Sequence, residues 1–215
     1  MNYQDIFQAL KGVGDIDLSS LVLLVAETGF ALYPITCKSD CVDESIVDML
    51  TKSRNINRDS FLTYFKATHE RTLDWILGPV AKDSTRILFA LKEIRTGKLY
   101  GYMGLAYGDA EGARIEGDAI VRFSDNVRPG LMRAAFLRLV EWVTNDIGVR
   151  EVWVRVRSSN SAVKFYGQCG FLVEFEAPLY VVHGSFGNVE ELSEAPLKGY
   201  SKISSDSLLY MKYCR

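Results

Sequence analysis

The stretch Ser158-Ser159-Asn160-Ser161-Ala162-Val163-Lys164-Phe165-Tyr166-Gly167-Gln168-Cys169-Gly170-Phe171 joins a polar helix start, an apolar helix face, a lone tyrosine and a glycine stop. Ser159 or Asn160 is suited to capping free N–H groups, and Ala162, Phe165 and Tyr166 recur at helical spacing. Gly170 supplies a left-handed residue that ends a helix. The pattern predicts a helix over 160–168 and a strand from Phe171. An ordinary amphipathic helix with a glycine stop reads the same way, so the surroundings decide what the stretch means.

Upstream, Glu151 to Arg157 reads as a strand, and Pro129 to Asn145 as an amphipathic helix with Leu131, Ala135, Leu139 and Val143 on one face. Ala113 to Phe123 is a longer strand. Arg86–Glu93 and Lys98–Tyr107 form a hairpin across Arg95-Thr96-Gly97-Lys98. Phe30–Thr36 is the first clear strand, Asp43 caps a helix through Thr51, and a second helical region runs from Asn57 to Leu77 until Gly78-Pro79 ends it. Downstream, Phe171–Val182 and Ser207–Tyr213 are strands around a long loop, 184–204. Residues 1–29 stand outside this pattern as an N-terminal extension. An antiparallel start followed by strand–helix–strand–helix–strand over 30–215 gives an α/β domain with a mixed central sheet and helices on both faces.

Three places carry candidate chemistry. Pro129 suits the first turn of a helix, so Gly130, Leu131, Met132 and Arg133 offer N–H groups without helical partners at the end where the dipole favours an anion. Arg128 and Arg133 stand at that end. On the strand before it, period-two alternation puts Arg114, Glu116, Asp118, Ile120 and Arg122 on one face and Ile115, Gly117, Ala119, Val121 and Phe123 on the other. Glu116 and Asp118 thus point the same way, and either carboxylate can take a proton from an amine, directly or through a water. Tyr166, a phenol with an ordinary pKa of about 10, stays protonated at neutral pH and can donate to an anion. His69, in the helical region, shares a side with Leu73.

The 158–171 stretch resembles the second signature region of the GCN5-related N-acetyltransferase (GNAT) superfamily, Asn-x-x-Ala-x-x-Leu/Phe-Tyr followed by Gly-Phe. Ala162, Phe165, Tyr166, Gly170 and Phe171 fit, while Ser159 stands at the usual Asn position and Asn160 one residue later. The order of elements over 30–215 resembles that superfamily too. The resemblance implies acetyl-CoA as acyl donor, paired with Ile120, Val121, Arg122 and Phe123 as an added strand would be. It implies a pyrophosphate held at Arg128, Gly130, Leu131, Met132, Arg133 and Ala134, where Val127–Met132 or Arg128–Arg133 stands in for Gln/Arg-x-x-Gly-x-Gly/Ala, and further contacts from Ser159, Asn160 and Tyr166. It implies Tyr166 as the group that meets the departing thiolate and a Glu on the 113–123 strand as base, which favours Glu116. Residues 53–75 resemble the acceptor-side helices of members that acetylate amino sugars attached to nucleotides, which makes Arg54 and His69 substrate-side candidates.

Composition narrows the rest. The chain has 215 residues, 48% hydrophobic and 24% charged, enough for one substantial core. Its formal charge of −2 argues against bulk nucleic acid as a partner. Leu21–Ala26 falls short of the ~20 apolar residues that cross a bilayer, and its acidic flank is unlike a signal peptide, so a cytoplasmic protein with no membrane partner is expected. Cys37, Cys41, Cys169 and Cys214 form no CxxC pair, and with only His69 and His183 to help them, reduced thiols are expected rather than a metal site. The expectation is direct attack by a small primary amine on acetyl-CoA, with an amino-sugar nucleotide for surface-glycan synthesis as the leading acceptor and a homodimer as an allowed assembly; the alternatives are a protein N-terminal or lysine acetyltransferase and a non-catalytic acyl-CoA-binding module.

Overall fold

A computed structural model describes residues 2–63, 65–109, 111–123, 128–183, 190–194 and 202–214. The chain is of the α/β class and divides into two compact units, residues 1–53 with 68–152, and residues 54–67 with 153–215.

The first unit is built on an antiparallel sheet in the order β1 (Leu23–Val25), β2 (Phe30–Pro34), β3 (Ile87–Glu93), β4 (Leu99–Ala106), β5 (Arg114–Arg122). Directly opposed residues share a face, so the pairs Phe89↔Met103 and Leu91↔Gly101 lie on one side, and Leu88↔Gly104 and Ala90↔Tyr102 on the other. The first of these faces is covered by α1 (Tyr3–Leu10) and by α4 (Leu131–Glu141) with the π turn Trp142–Asp146 that continues it. Phe89 meets Trp142 edge-on at 5.6 Å, and Trp142 stacks on Phe7 at 6.1 Å. On the other face lies Tyr33, paired with Ala90. The Lys92 ammonium stands over the Tyr33 ring and 3.4 Å from Asp43, at the head of α2 (Glu44–Ile56). Asp43 caps α2 as expected, accepting from Ser45 N at 2.9 Å. Helices thus lie on both faces of this sheet.

Residues 2–29 are part of the first unit: Tyr3, Phe7, Ala9 and Leu10 are buried. Lys11, next in line, is 0% exposed; its Nζ donates to Val80 O at 2.9 Å and Asp83 O at 2.8 Å. Those carbonyls close a helical segment made of α3 (His69–Trp75) and the π turn Ile76–Val80. Gly78-Pro79 therefore does not end the helix; Pro79, lacking an N–H, is accommodated in the widened turn.

The continuous helix expected over Asn57–Leu77 is also absent. In its place a single 3₁₀ turn, Arg58–Ser60, is followed by the non-helical residues 61–63 and 65–68 before α3. The Asn55 amide explains the break: it donates to Ala67 O at 3.0 Å and accepts from Ala67 N at 2.9 Å, pinning two points twelve residues apart.

The second unit pairs β6 (Glu151–Arg157) from Trp153 onward, β9 (Lys202–Tyr213), β7 (Phe171–His183) and β8 (Glu190–Ser193), all antiparallel and in that order. Between β6 and β7 lies α5 (Ala162–Gln168), stopped as expected by Gly170 at φ 91°. Phe171, at the head of β7, is buried, with the Tyr166 ring edge-on to it at 6.1 Å. The region expected as one loop, 184–204, contains β8 and the start of β9; 184–189 and 195–201 lie outside the described residues. Among the described residues no helix is long and apolar enough to cross a membrane.

Candidate functional site

On β5 the simple alternation fails at one residue. Gly104 pairs with Asp118 but Tyr102 pairs with Val121, so two steps on β4 face three on β5. The extra residue is absorbed at Ala119, which takes φ 53°, a left-handed conformation rare for a residue with a Cβ. Beyond this bulge the faces exchange. Glu116 and Asp118 share a face as expected, but Val121 joins them, while Ile120 and Arg122 move to the face on which α4 packs. On that face a Cβ at Gly101, the partner of Arg122, would lie 3.2 Å from Met132 Sδ and 2.5 Å from Val121 O.

Both carboxylates are held by arginines. Glu116, 7% exposed, accepts from Arg114 at 2.9 Å, and Asp118 accepts from Arg86 at 2.8 Å. Arg86 is also 3.4 Å from Asp83 and lies under the exposed ring of Tyr107. In the first pair the arginine is the more exposed partner, and in the second the carboxylate is.

The start of α4 differs from expectation by two residues. Gly130, at φ 83°, is the N-cap and the helix begins at Leu131, so Pro129 precedes the helix instead of opening it. No side chain caps this end. Leu131 N bonds Arg128 O and Ala134 N bonds Gly130 O. The amides of Met132 and Arg133 make no backbone hydrogen bond among the described residues. Two amides and the arginines Arg128 and Arg133 are thus gathered at the positive end of an eleven-residue helix, a donor set matched to a pyrophosphate. Val127, the first residue of one expected register, lies outside the described residues.

In the second unit the motif residues are engaged by their own chain. Asn160 Oδ1 accepts from Ala162 N at 2.8 Å and its Nδ2 reaches Ser60 O at 3.4 Å. Ser159 gives both its N–H and its hydroxyl to Asp206, at 3.0 and 2.7 Å. Tyr166 is 8% exposed, its ring edge-on to Phe165. Asp206 is the residue that sequence reasoning missed. In Ser204-Ser205-Asp206-Ser207 it reads as an ordinary polar strand residue, and only the fold carries it to the approach to α5.

The two acceptor-side candidates have different surroundings. Arg54, in the second unit, lays its guanidinium on the rings of Phe61 and Phe65, at 3.7 and 4.7 Å, and donates to the Thr63 carbonyl and hydroxyl. His69, in the first unit, is half exposed with its Nε2 2.7 Å from Glu44 Oε2. Among the described residues no group of three or more His, Cys, Asp or Glu stands together to hold a metal ion.

No family model matches the chain, and neither does any curated protein. Solved structures do. A chimera of the spermidine N-acetyltransferase SpeG from Vibrio cholerae with hSSAT is 16% identical over 86% of this chain and 95% of its own, with a TM-score of 0.57. A GCN5-related N-acetyltransferase from Brucella melitensis is 14% identical over 89% and 77%, TM-score 0.60. A probable GNAT-family acetyltransferase from Chromobacterium violaceum is 14% identical over 88% and 84%, TM-score 0.63. This chain has the fold they share.

Proposed function

We propose that the chain is an acetyl-CoA-dependent N-acetyltransferase that acts on a small primary amine by direct attack. The observation that carries the reading is the start of α4, where a left-handed Gly130, two amides without a backbone partner among the described residues and two arginines follow a bulged strand in a chain with the GNAT fold. Arg128, Arg133 and the amides of Met132 and Arg133 would hold the coenzyme's pyrophosphate. Bound acetyl-CoA supplies the activated acetyl thioester. Glu116 takes the proton from the acceptor ammonium, favoured over Asp118 because the resemblance to the superfamily implies a Glu on this strand. Tyr166 keeps its proton until sulfur gains charge, then donates it.

Within the amine class, the fold neighbours named as spermidine N-acetyltransferases support a polyamine, and the sequence of 53–75 supports an amino-sugar nucleotide. Thiol release from acetyl-CoA, measured over spermidine, spermine, amino-sugar nucleotides, free lysine and a peptide N-terminus, tests the reading. Turnover confined to small amines supports it. Turnover on the peptide alone favours a protein acetyltransferase, and tight coenzyme A binding without thiol release favours a non-catalytic binding module. Glu116→Gln is expected to depress the rate by about 10²–10⁴-fold, most at the acid end of the active range, where less acceptor is already neutral. A larger loss in Asp118→Asn, with the fold intact, would exchange the two roles.

A further inference from the structure

We infer that Asp206 is a positioning residue: from β9 it fixes the approach to α5, Ser158 to Asn160, and through Arg157 it ties that approach to the Asp59–Ser60 turn. The inference rests on the reading of α5 as part of an acetyl-transfer site.

The carboxylate is 9% exposed and accepts from five donors: Arg157 Nε at 2.6 Å, Ser158 Oγ at 2.6 Å, Ser159 N at 3.0 Å, Ser159 Oγ at 2.7 Å and Ser207 N at 3.1 Å. Burial works to raise its pKa, but the bonds from Ser158, Ser159 and Arg157 outweigh it and hold the group well below the ordinary carboxylate range. Five donors and no acceptor face Asp206, a set matched to a carboxylate anion.

Two arms lead away from this centre. Arg157, held at Nε by Asp206, donates from Nη1 to Asp59 O at 2.5 Å. Asn160, next to the Ser159 that Asp206 fixes, accepts from the first amide of α5 and reaches Ser60 O. The entry to α5 and the turn at 58–60 are thus tied to one carboxylate, and the setting of Tyr166 one turn into α5 follows from it. The arrangement brings a segment expected on the acceptor side and the helix of the signature motif under common control.

Hydrogen exchange on the full chain, with and without coenzyme A, and steady-state kinetics together test the inference. Asp206→Asn keeps the shape but sets an NH₂ against donors. It is expected to speed exchange in 158–163 and 58–61 together by at least about tenfold, the scale of one lost charged hydrogen bond, and to leave 87–106 unchanged. It is also expected to lower kcat/KM by on the order of 10²-fold through misplacement. Arg157→Lys, which keeps a cation near Asp206 but loses the bond to Asp59 O, is expected to loosen 58–61 and spare 158–163. Unchanged exchange in both segments of Asp206→Asn overturns the clamp. Faster exchange with wild-type kcat/KM overturns the positioning role. A wild-type chain that neither binds coenzyme A nor transfers acetyl groups sinks the functional reading instead, and exchange alone then decides the clamp.

Discussion

The starts of α4 and α5 are built on opposite plans. At α4 a left-handed glycine takes the cap position, no side chain of that cap closes the end, and Arg128 and Arg133 lie in sequence at the end where the helix dipole favours an anion. At α5 the first amide is taken by Asn160, and Ser159 before it is bound to Asp206. One helix start is left open where a ligand can complete it; the other is completed by the chain. On the proposed function, the signature motif at α5 would contribute a fixed tyrosine rather than a grip on the coenzyme, and the grip would fall to α4.

That contrast can be broken, and the sharpest attempt is Tyr166→Phe. Turnover should fall by about 10²–10⁴-fold with the KM for acetyl-CoA nearly unchanged, because the lost hydroxyl acts only as charge builds on sulfur. A variant with wild-type turnover returns Tyr166 to packing and leaves α5 with no role in the chemistry.

At α4 the expected loss is in binding. Arg128→Ala with Arg133→Ala should cost about 1.5–3 kcal/mol per well-formed contact and shrink the thermal stabilisation by coenzyme A accordingly. An unchanged shift would remove both arginines from the site.

Gly130→Ala separates backbone from charge. A Cβ there meets nothing within 4 Å among the described residues, so the cost is the left-handed conformation itself, about 1–2 kcal/mol of folding stability. Denaturant unfolding without ligand reads it directly; a neutral result would mean that the open start does not depend on the glycine.

The smallest effect belongs to Asn160→Ala, which should lose about 1 kcal/mol of stability as its bond to Ala162 N is removed while coenzyme affinity stays within about twofold. If affinity falls further than stability, Asn160 touches the coenzyme after all and the two helix starts are less different than their bonding indicates.

Residues that act on their neighbours in sequence were legible. Gly170 stops α5, the Arg95–Lys98 turn joins β3 to β4, and Asp43 caps α2, each through a bond or dihedral spanning a few residues. The misreadings came from longer reach. Asn55 and Ala67 break an apparent helix from twelve positions apart, and Asp206 meets Ser159 across 47. The bulge at Ala119 is different again. It is local, but no glycine marks it, so alternation carried straight through and put Ile120 and Arg122 on the wrong face.

Lys11 bears on covalent labelling. Burial lowers its pKa to about 8, against the pull of Cys37 and Asp83. On an exposed amine that would mean more of the reactive free base at neutral pH. With its nitrogen sealed among backbone carbonyls, Lys11 is shielded from anhydrides, activated esters and stray thioesters alike, while Lys52, 62% exposed, is open to them. Acylation appearing at Lys11 in the native protein would therefore report that the N-terminal helix has come away from Val80 and Asp83.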